Sequence, residues 1–152
     1  MKKSLLFFCI IINVNILFAQ NEITGITIVK RHFGQTYSEL IETLPVGLIK
    51  ESRDNLLYVY DYPLSNYISL FFINPQRGVN HYVIFAHADR DLKNYYAYLL
   101  SIFEKSYGNY NDSELSVFFY SNLPENVSKI KISKPEADIA NRNIILIRWY
   151  GY

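Results

Sequence analysis

Apolar and polar positions along this chain follow three different rhythms. First comes an apolar run from Leu5 to Phe18, preceded by Lys2 and Lys3 and interrupted by Asn13 and Asn15. Next, Ile23 to Val29 alternates loosely and is rich in β-branched residues, which predicts a first strand. Gly34 ends it, and Thr36-Tyr37-Ser38-Glu39 has the spacing of a capping box. Leu40, Ile41 and Leu44 then form the apolar side of a short helix that stops before Pro45. A weak strand is expected over Leu48 to Glu51. Leu56 to Tyr62, Tyr67 to Ile73 and Val79 to His87 are strand-length runs separated by Pro63-Leu64-Ser65-Asn66 and Asn74-Pro75-Gln76-Arg77-Gly78. Connections that short imply antiparallel hairpins, because a parallel return needs a crossover of about a dozen residues or more.

The third rhythm is helical. Leu92, Tyr95, Tyr96, Leu99, Phe103 and Tyr107 recur every three or four residues and form one apolar stripe. Asp89 is the expected N-cap and Gly108 the expected left-handed stop, so the helix should run from Arg90 to Tyr107. Leu115 to Ser121 and Ile144 to Tyr150 read as strands, with a short strand at Ile130 to Ser133 inside an otherwise irregular Leu123–Asn143. The expected fold is therefore α+β. One antiparallel sheet carries one long and one short helix, in the order β–α–β-meander–α–β–β. The helix-then-strands pattern occurs twice, without residue-level similarity between the two copies.

The N-terminal run changes the later counts. A basic end, a short apolar middle and a small residue before polar sequence make residues 1–19 a signal peptide, with cleavage after Ala19. The apolar stretch is short for a span of about 20 residues, so no stable membrane span is expected after cleavage. Residues 20–152 then form a single α+β domain that is exported, periplasmic or secreted. Cleavage removes Lys2 and Lys3, so the formal charge moves from +1 to −1. That balance argues against a nucleic-acid partner bound by a basic stripe. The single Cys, Cys9, leaves with the leader, so the domain must be stabilised by core packing without disulfides or thiolate chemistry. Of the 152 residues, 14 are Tyr and 10 are Phe, which makes aromatic packing the dominant resource.

Candidates for chemistry are sparse. The three histidines are His32, His81 and His87. His81 and His87 share strand parity but lie about 20 Å apart, too far for one metal ion. His87-Ala88-Asp89-Arg90-Asp91 lacks the second His of a metal-hydrolase segment, and Asp89 has a sufficient role as a cap. Glu39 and Glu42 are explained by capping and solvation. No nucleophile elbow, phosphate-binding glycine loop or dinucleotide fingerprint is present. No metal or cofactor is therefore expected. The aromatic alternation says more. Leu57 and Val59 oppose Tyr58, Tyr60 and Tyr62, and Ile68, Leu70 and Phe72 oppose Tyr67, Ser69 and Phe71. If the long helix covers Leu57, Val59, Ile68, Leu70 and Phe72, the other face carries Tyr58, Tyr60, Tyr62, Tyr67 and Phe71, either as cross-strand aromatic pairs that stabilise the sheet or lie under the short helix, or as a binding surface.

Gly34-Gln35-Thr36-Tyr37-Ser38-Glu39-Leu40, ending at Leu44-Pro45, resembles the first helix of small exported envelope lipoproteins of the outer-membrane assembly type (SmpA/OmlA, BamE-like). Those domains, like β-lactamase-inhibitor-like folds, place helices on a small antiparallel sheet. Phe33-Gly34 and Tyr107-Gly108 are similar to helix boundaries of other exported bacterial domains. The resemblance implies an envelope setting and no catalytic residue. The reading that follows is a non-enzymatic binding or envelope-accessory domain, with an envelope protein or extracellular ligand as partner and the oligomeric state open. The alternatives are a secreted enzyme with a dispersed His/carboxylate site, and a secreted inhibitor or effector.

Overall fold

The computed structural model describes residues 23–48, 50–64, 67–87, 91–135 and 144–152. The expected signal peptide and the expected cap Asp89 lie outside them. Three helices and eight strands are found among the described residues: α1 (Ile26–His32), α2 (Tyr37–Thr43), β1 (Lys50–Arg53), β2 (Leu56–Tyr60), β3 (Ile68–Asn74), β4 (Gly78–His87), α3 (Leu92–Tyr107), β5 (Tyr110–Asp112), β6 (Ser116–Phe119), β7 (Val127–Ser133) and β8 (Ile144–Gly151). The strands form a single antiparallel sheet in the order β1-β2-β3-β4-β8-β7-β6-β5. The α+β architecture is thus as the sequence predicts. Each half is helix followed by a four-stranded meander, and the halves join where β4 pairs with β8 in the middle. Both edges are short and polar, Lys-Glu-Ser-Arg in β1 and Tyr-Asn-Asp in β5. Short charged edges of this kind discourage edge-to-edge association.

The first element differs from expectation. Ile23–Val29, predicted as a strand, instead contains most of α1, with Ile28 and Val29 buried in the core and Lys30 and Arg31 exposed. Its β-branched residues favour a strand locally, but tertiary contacts decide otherwise. The Thr24 carbonyl, just ahead of the helix, accepts from the Tyr107 hydroxyl at 2.7 Å and from Trp149 Nε1 at 3.0 Å. Burial raises the Tyr107 pKa, which keeps the phenol a neutral donor. Gly25, with φ 71°, lies so close to the Trp149 indole that a Cβ would overlap the ring.

α2 matches its sequence signature closely. Thr36 caps it, the Glu39 carboxylate accepts from the Thr36 N–H at 2.8 Å, and that bond holds the Glu39 pKa below its ordinary value. The turn between α1 and α2 is fastened to the sheet by Gly34 N–H donating to Val79 O and Val79 N–H donating to Gln35 O, both at 2.8 Å. Only glycine fits at position 78, where a Cβ would meet the Gly34 carbonyl.

α3 begins two residues later than predicted, and its cap is Asp91, whose carboxylate accepts from Lys93 N and Asn94 N. Gly108 ends it at the expected position, but with φ 80° and ψ −159° it lies outside the left-handed helical conformation that was predicted. Leu99, Ile102, Phe103 and Tyr107 are its buried residues. The helix does not seal Ile68, Leu70 and Phe72. Instead the Phe103 ring packs near Phe119 (5.8 Å between centroids) and Trp149 (6.0 Å), in the second half of the sheet. In the first half the corresponding cover comes from α1, where His32 meets Phe71 edge-on at 5.7 Å. The region after α3 holds four strands rather than the two or three predicted. β5 is too short to show a pattern, and β7 extends the expected Ile130–Ser133 back to Val127.

Candidate functional site

The register divides the sheet into two faces. Leu57, Val59, Ser69, Phe71, Tyr82, Ile84, Ala86, Ile145, Ile147, Trp149, Ile130, Ile132, Val117 and Phe119 are mutual cross-strand partners, all buried on the side of the three helices. The residues between them point the other way. Leu70 and Val83 belong to this second set: they are buried, yet they stand apart from the main core cluster.

Of the five predicted binding residues, the structure places two on this open face. Tyr58 and Tyr60 lie on β2 with their side chains half-exposed there. Tyr62, only 8% exposed, bonds through its hydroxyl to His32 Nε2 at 3.1 Å on the helix side. Tyr67 meets Tyr95 of α3, hydroxyl to hydroxyl, at 2.7 Å. Phe71 is fully buried against His32, Tyr62 and Tyr82. Conversely Ile68, Leu70 and Phe72, expected beneath the helix, face outward. Two features inverted the reading. Asp61, at φ 54°, ends the alternation of β2 before Tyr62. In addition, Ser69 looks like a solvent-facing residue but is buried, its hydroxyl donating to Tyr62 O at 2.6 Å and sharing a 2.8 Å bond with the Tyr82 hydroxyl. A hydroxyl satisfied in this way can occupy a core position.

The open face is organised in three rows running across the strands. In one, Phe72, His81 and Tyr150 are direct neighbours on β3, β4 and β8, with their rings stacked at 4.4 Å on both sides of the imidazole and tilted by only 16° and 18°. Lys129 extends that row, its ammonium 4.6 Å above the Tyr150 ring. The central row runs Tyr58, Leu70, Val83, Arg148, Lys131, Phe118, with the Lys131 ammonium 5.6 Å from the Phe118 ring. The third contains Tyr60, Ile68, Phe85 and Leu146, then the Ser133–Ser116 pair.

Charge is uneven across these rows. Among the described strand residues, the register puts Arg53, Lys129, Lys131 and Arg148 on the open face against one carboxylate, Glu51. His81 adds no charge near neutral pH. Burial, followed by Arg148 and Lys129, pulls its pKa from 6.5 to about 4. Its Nε2 is buried without a hydrogen-bond partner. His32, on the covered face, is also held neutral by burial and is bonded to Gln35 and Tyr62. Among the described residues neither histidine has a carboxylate partner, and no group of three or more His, Cys, Asp or Glu is placed to hold a metal ion. His87 closes β4 opposite Ile144. On the helix side, a recess of about 330 Å³ is lined partly by Arg31, Asp61 and Pro63, but the Arg31 guanidinium there donates to Thr43 O at the end of α2.

The cations of β7 and β8 were missed by sequence reasoning, although a signal was present. Lys129-Ile130-Lys131-Ile132-Ser133 alternates strictly, which puts both lysines on the face opposite two core isoleucines. No helix among the described residues is long and apolar enough to cross a membrane. No family model matches the chain, and no curated protein or solved structure matches it either.

Proposed function

We propose that this protein is a non-enzymatic binding module, exported to the envelope or beyond, that docks a partner protein on the open face of its sheet. The observation that carries this reading is the open face itself. Aromatic and aliphatic side chains cross all the central strands in register, while the three helices all pack on the other side. Eight strands at about 4.8 Å spacing make the face roughly 34 Å wide, on the scale of a standard interface that takes about 800 Å² from each partner. Tyr58, Tyr60, Phe72, Phe118 and Tyr150 offer large contact area with few rotamers to freeze. The excess of cations selects a partner whose contact surface is acidic as well as apolar. The N-terminal leader supports export, with the working chain beginning at Gln20.

A photo-crosslinking amino acid at position 60 tests this in producing cells. It should give a discrete protein adduct in the envelope or the medium, attached to a chain whose intact mass begins at Gln20. The same reagent at Tyr98, which is exposed on α3, should give none, and Ile68→Asp beside position 60 should abolish the adduct. Equal adducts from both positions, or none from position 60, would rule the docking face out.

A further inference from the structure

On the β6–β7–β8 side of the open face lies a recess of about 160 Å³ lined by Leu115, Ser116, Lys131, Ser133, Leu146 and Arg148. Lys131 and Arg148 are direct cross-strand partners, and Lys129 stands two residues away on the same face of β7. Like charges placed opposite each other oppose strand pairing. No carboxylate among the described residues relieves them, since the ion pair that does form nearby joins Lys134 to Asp112 at 2.7 Å. The hydroxyl of Ser133 accepts from Leu146 N at 2.9 Å but donates to Leu146 O only at 3.4 Å, so its proton can serve a closer acceptor.

We infer that this recess is a carboxylate-binding site, which receives an Asp or Glu side chain of the partner protein. A guanidinium fork matches the two oxygens of a carboxylate, the Lys131 ammonium adds charge, and the Ser133 hydroxyl adds a donor. Leu115 and Leu146 give the methylene stem of such a side chain an apolar wall. A phosphate would meet the same wall with more hydration to lose. The inference rests on the docking role proposed for the face and names the chemistry that the partner must supply.

Two measurements on the exported protein test it. With no ligand present, Lys131→Met and Arg148→Met should each raise Tm by about 1–4 °C, because each removes a facing like charge. Salt raised from about 0.02 M to about 0.5 M should raise the wild-type Tm and leave both variants nearly unchanged. Glutarate should then produce saturable NMR shifts at Lys131, Ser133 and Arg148, at least about tenfold weaker in either variant. Lower Tm in both variants with no salt response, or tighter binding of inorganic phosphate than of glutarate, overturns the assignment. So does a drop in wild-type Tm on Glu136→Gln with Asp138→Asn, which would make the chain's own carboxylates the occupants. The docking reading fails separately: glutarate binding without a position-60 adduct removes the partner, whereas an adduct without glutarate binding removes only the site.

Discussion

Phe71 and Phe72 are neighbours in sequence and stand on opposite faces of one sheet. Phe71 is sealed among His32, Tyr62 and Tyr82, while Phe72 lies half-exposed on the flat of the His81 ring. Both faces carry large aromatic and aliphatic side chains, so the presence of such residues alone does not tell them apart. Their polar atoms do. On the covered face the Ser69 hydroxyl, Trp149 Nε1, the Tyr107 hydroxyl and both His32 nitrogens all have hydrogen-bond partners. On the open face His81 Nε2 has none, and Lys131 faces Arg148. A buried polar group without a partner is costly, so the covered face has its polar atoms satisfied within the fold, whereas the open face carries an unpartnered imidazole nitrogen and two facing cations.

Substitutions at this neighbouring pair should break the comparison most directly. Phe71→Ala should cost about 3–5 kcal/mol of unfolding free energy, through lost burial and a residual cavity. Phe72→Ala should cost about half of that or less, since its ring already meets solvent. Urea unfolding of both variants decides the matter, and equal losses would mean that both faces are core. A smaller contrast concerns polar groups. Ser69→Ala should cost about 1–3 kcal/mol by removing one partner each from the Tyr62 carbonyl and the Tyr82 hydroxyl. Tyr60→Phe on the open face should stay within about 0.5 kcal/mol.

A further expected effect depends on pH. The folded state holds His81 neutral down to about pH 4, whereas an unfolded chain protonates it near pH 6.5. Between those values the unfolded state binds more protons, so stability is full above about pH 6.5 and falls on acidification towards pH 4. His32, which burial depresses in the same direction, adds to the loss on acidification. Unfolding curves at several pH values should show a shallower acid loss in His81→Phe than in wild type. Superimposable profiles would mean that the aromatic sandwich does not hold the imidazole neutral.

Where local chemistry decides, the sequence is legible residue by residue. The Thr36–Glu39 box, the stop at Gly108 and the hairpins around β2, β3 and β4 depend on neighbours in the chain. α1 was illegible because its partners, Tyr107 and Trp149, lie far along the chain and outweigh the strand preference of Ile-Thr-Ile-Val. The phase of β3 was illegible because Ser69 becomes a core residue only once Tyr82 is beside it. The candidate site shows the same division. Tyr58 and Tyr60 were recoverable from alternation, and Lys129 and Lys131 could have been. The stack on His81 and the facing of Lys131 by Arg148 require the register of four strands, which no local pattern contains.

The seam between β4 and β8 also has a consequence for the order of events in folding. Within each meander, successive strands are separated by at most ten residues of chain, so their ladders close with less loss of chain entropy than the seam. The seam instead joins residues roughly sixty positions apart, such as Ile84 and Ile147. β8 follows every other described strand in the chain, so during synthesis the inner edge of β4 must wait unpaired while the whole second half is made. The middle of this sheet is thus its youngest part, and the nascent protein is most vulnerable to wrong pairing along the line where the finished one is most deeply buried.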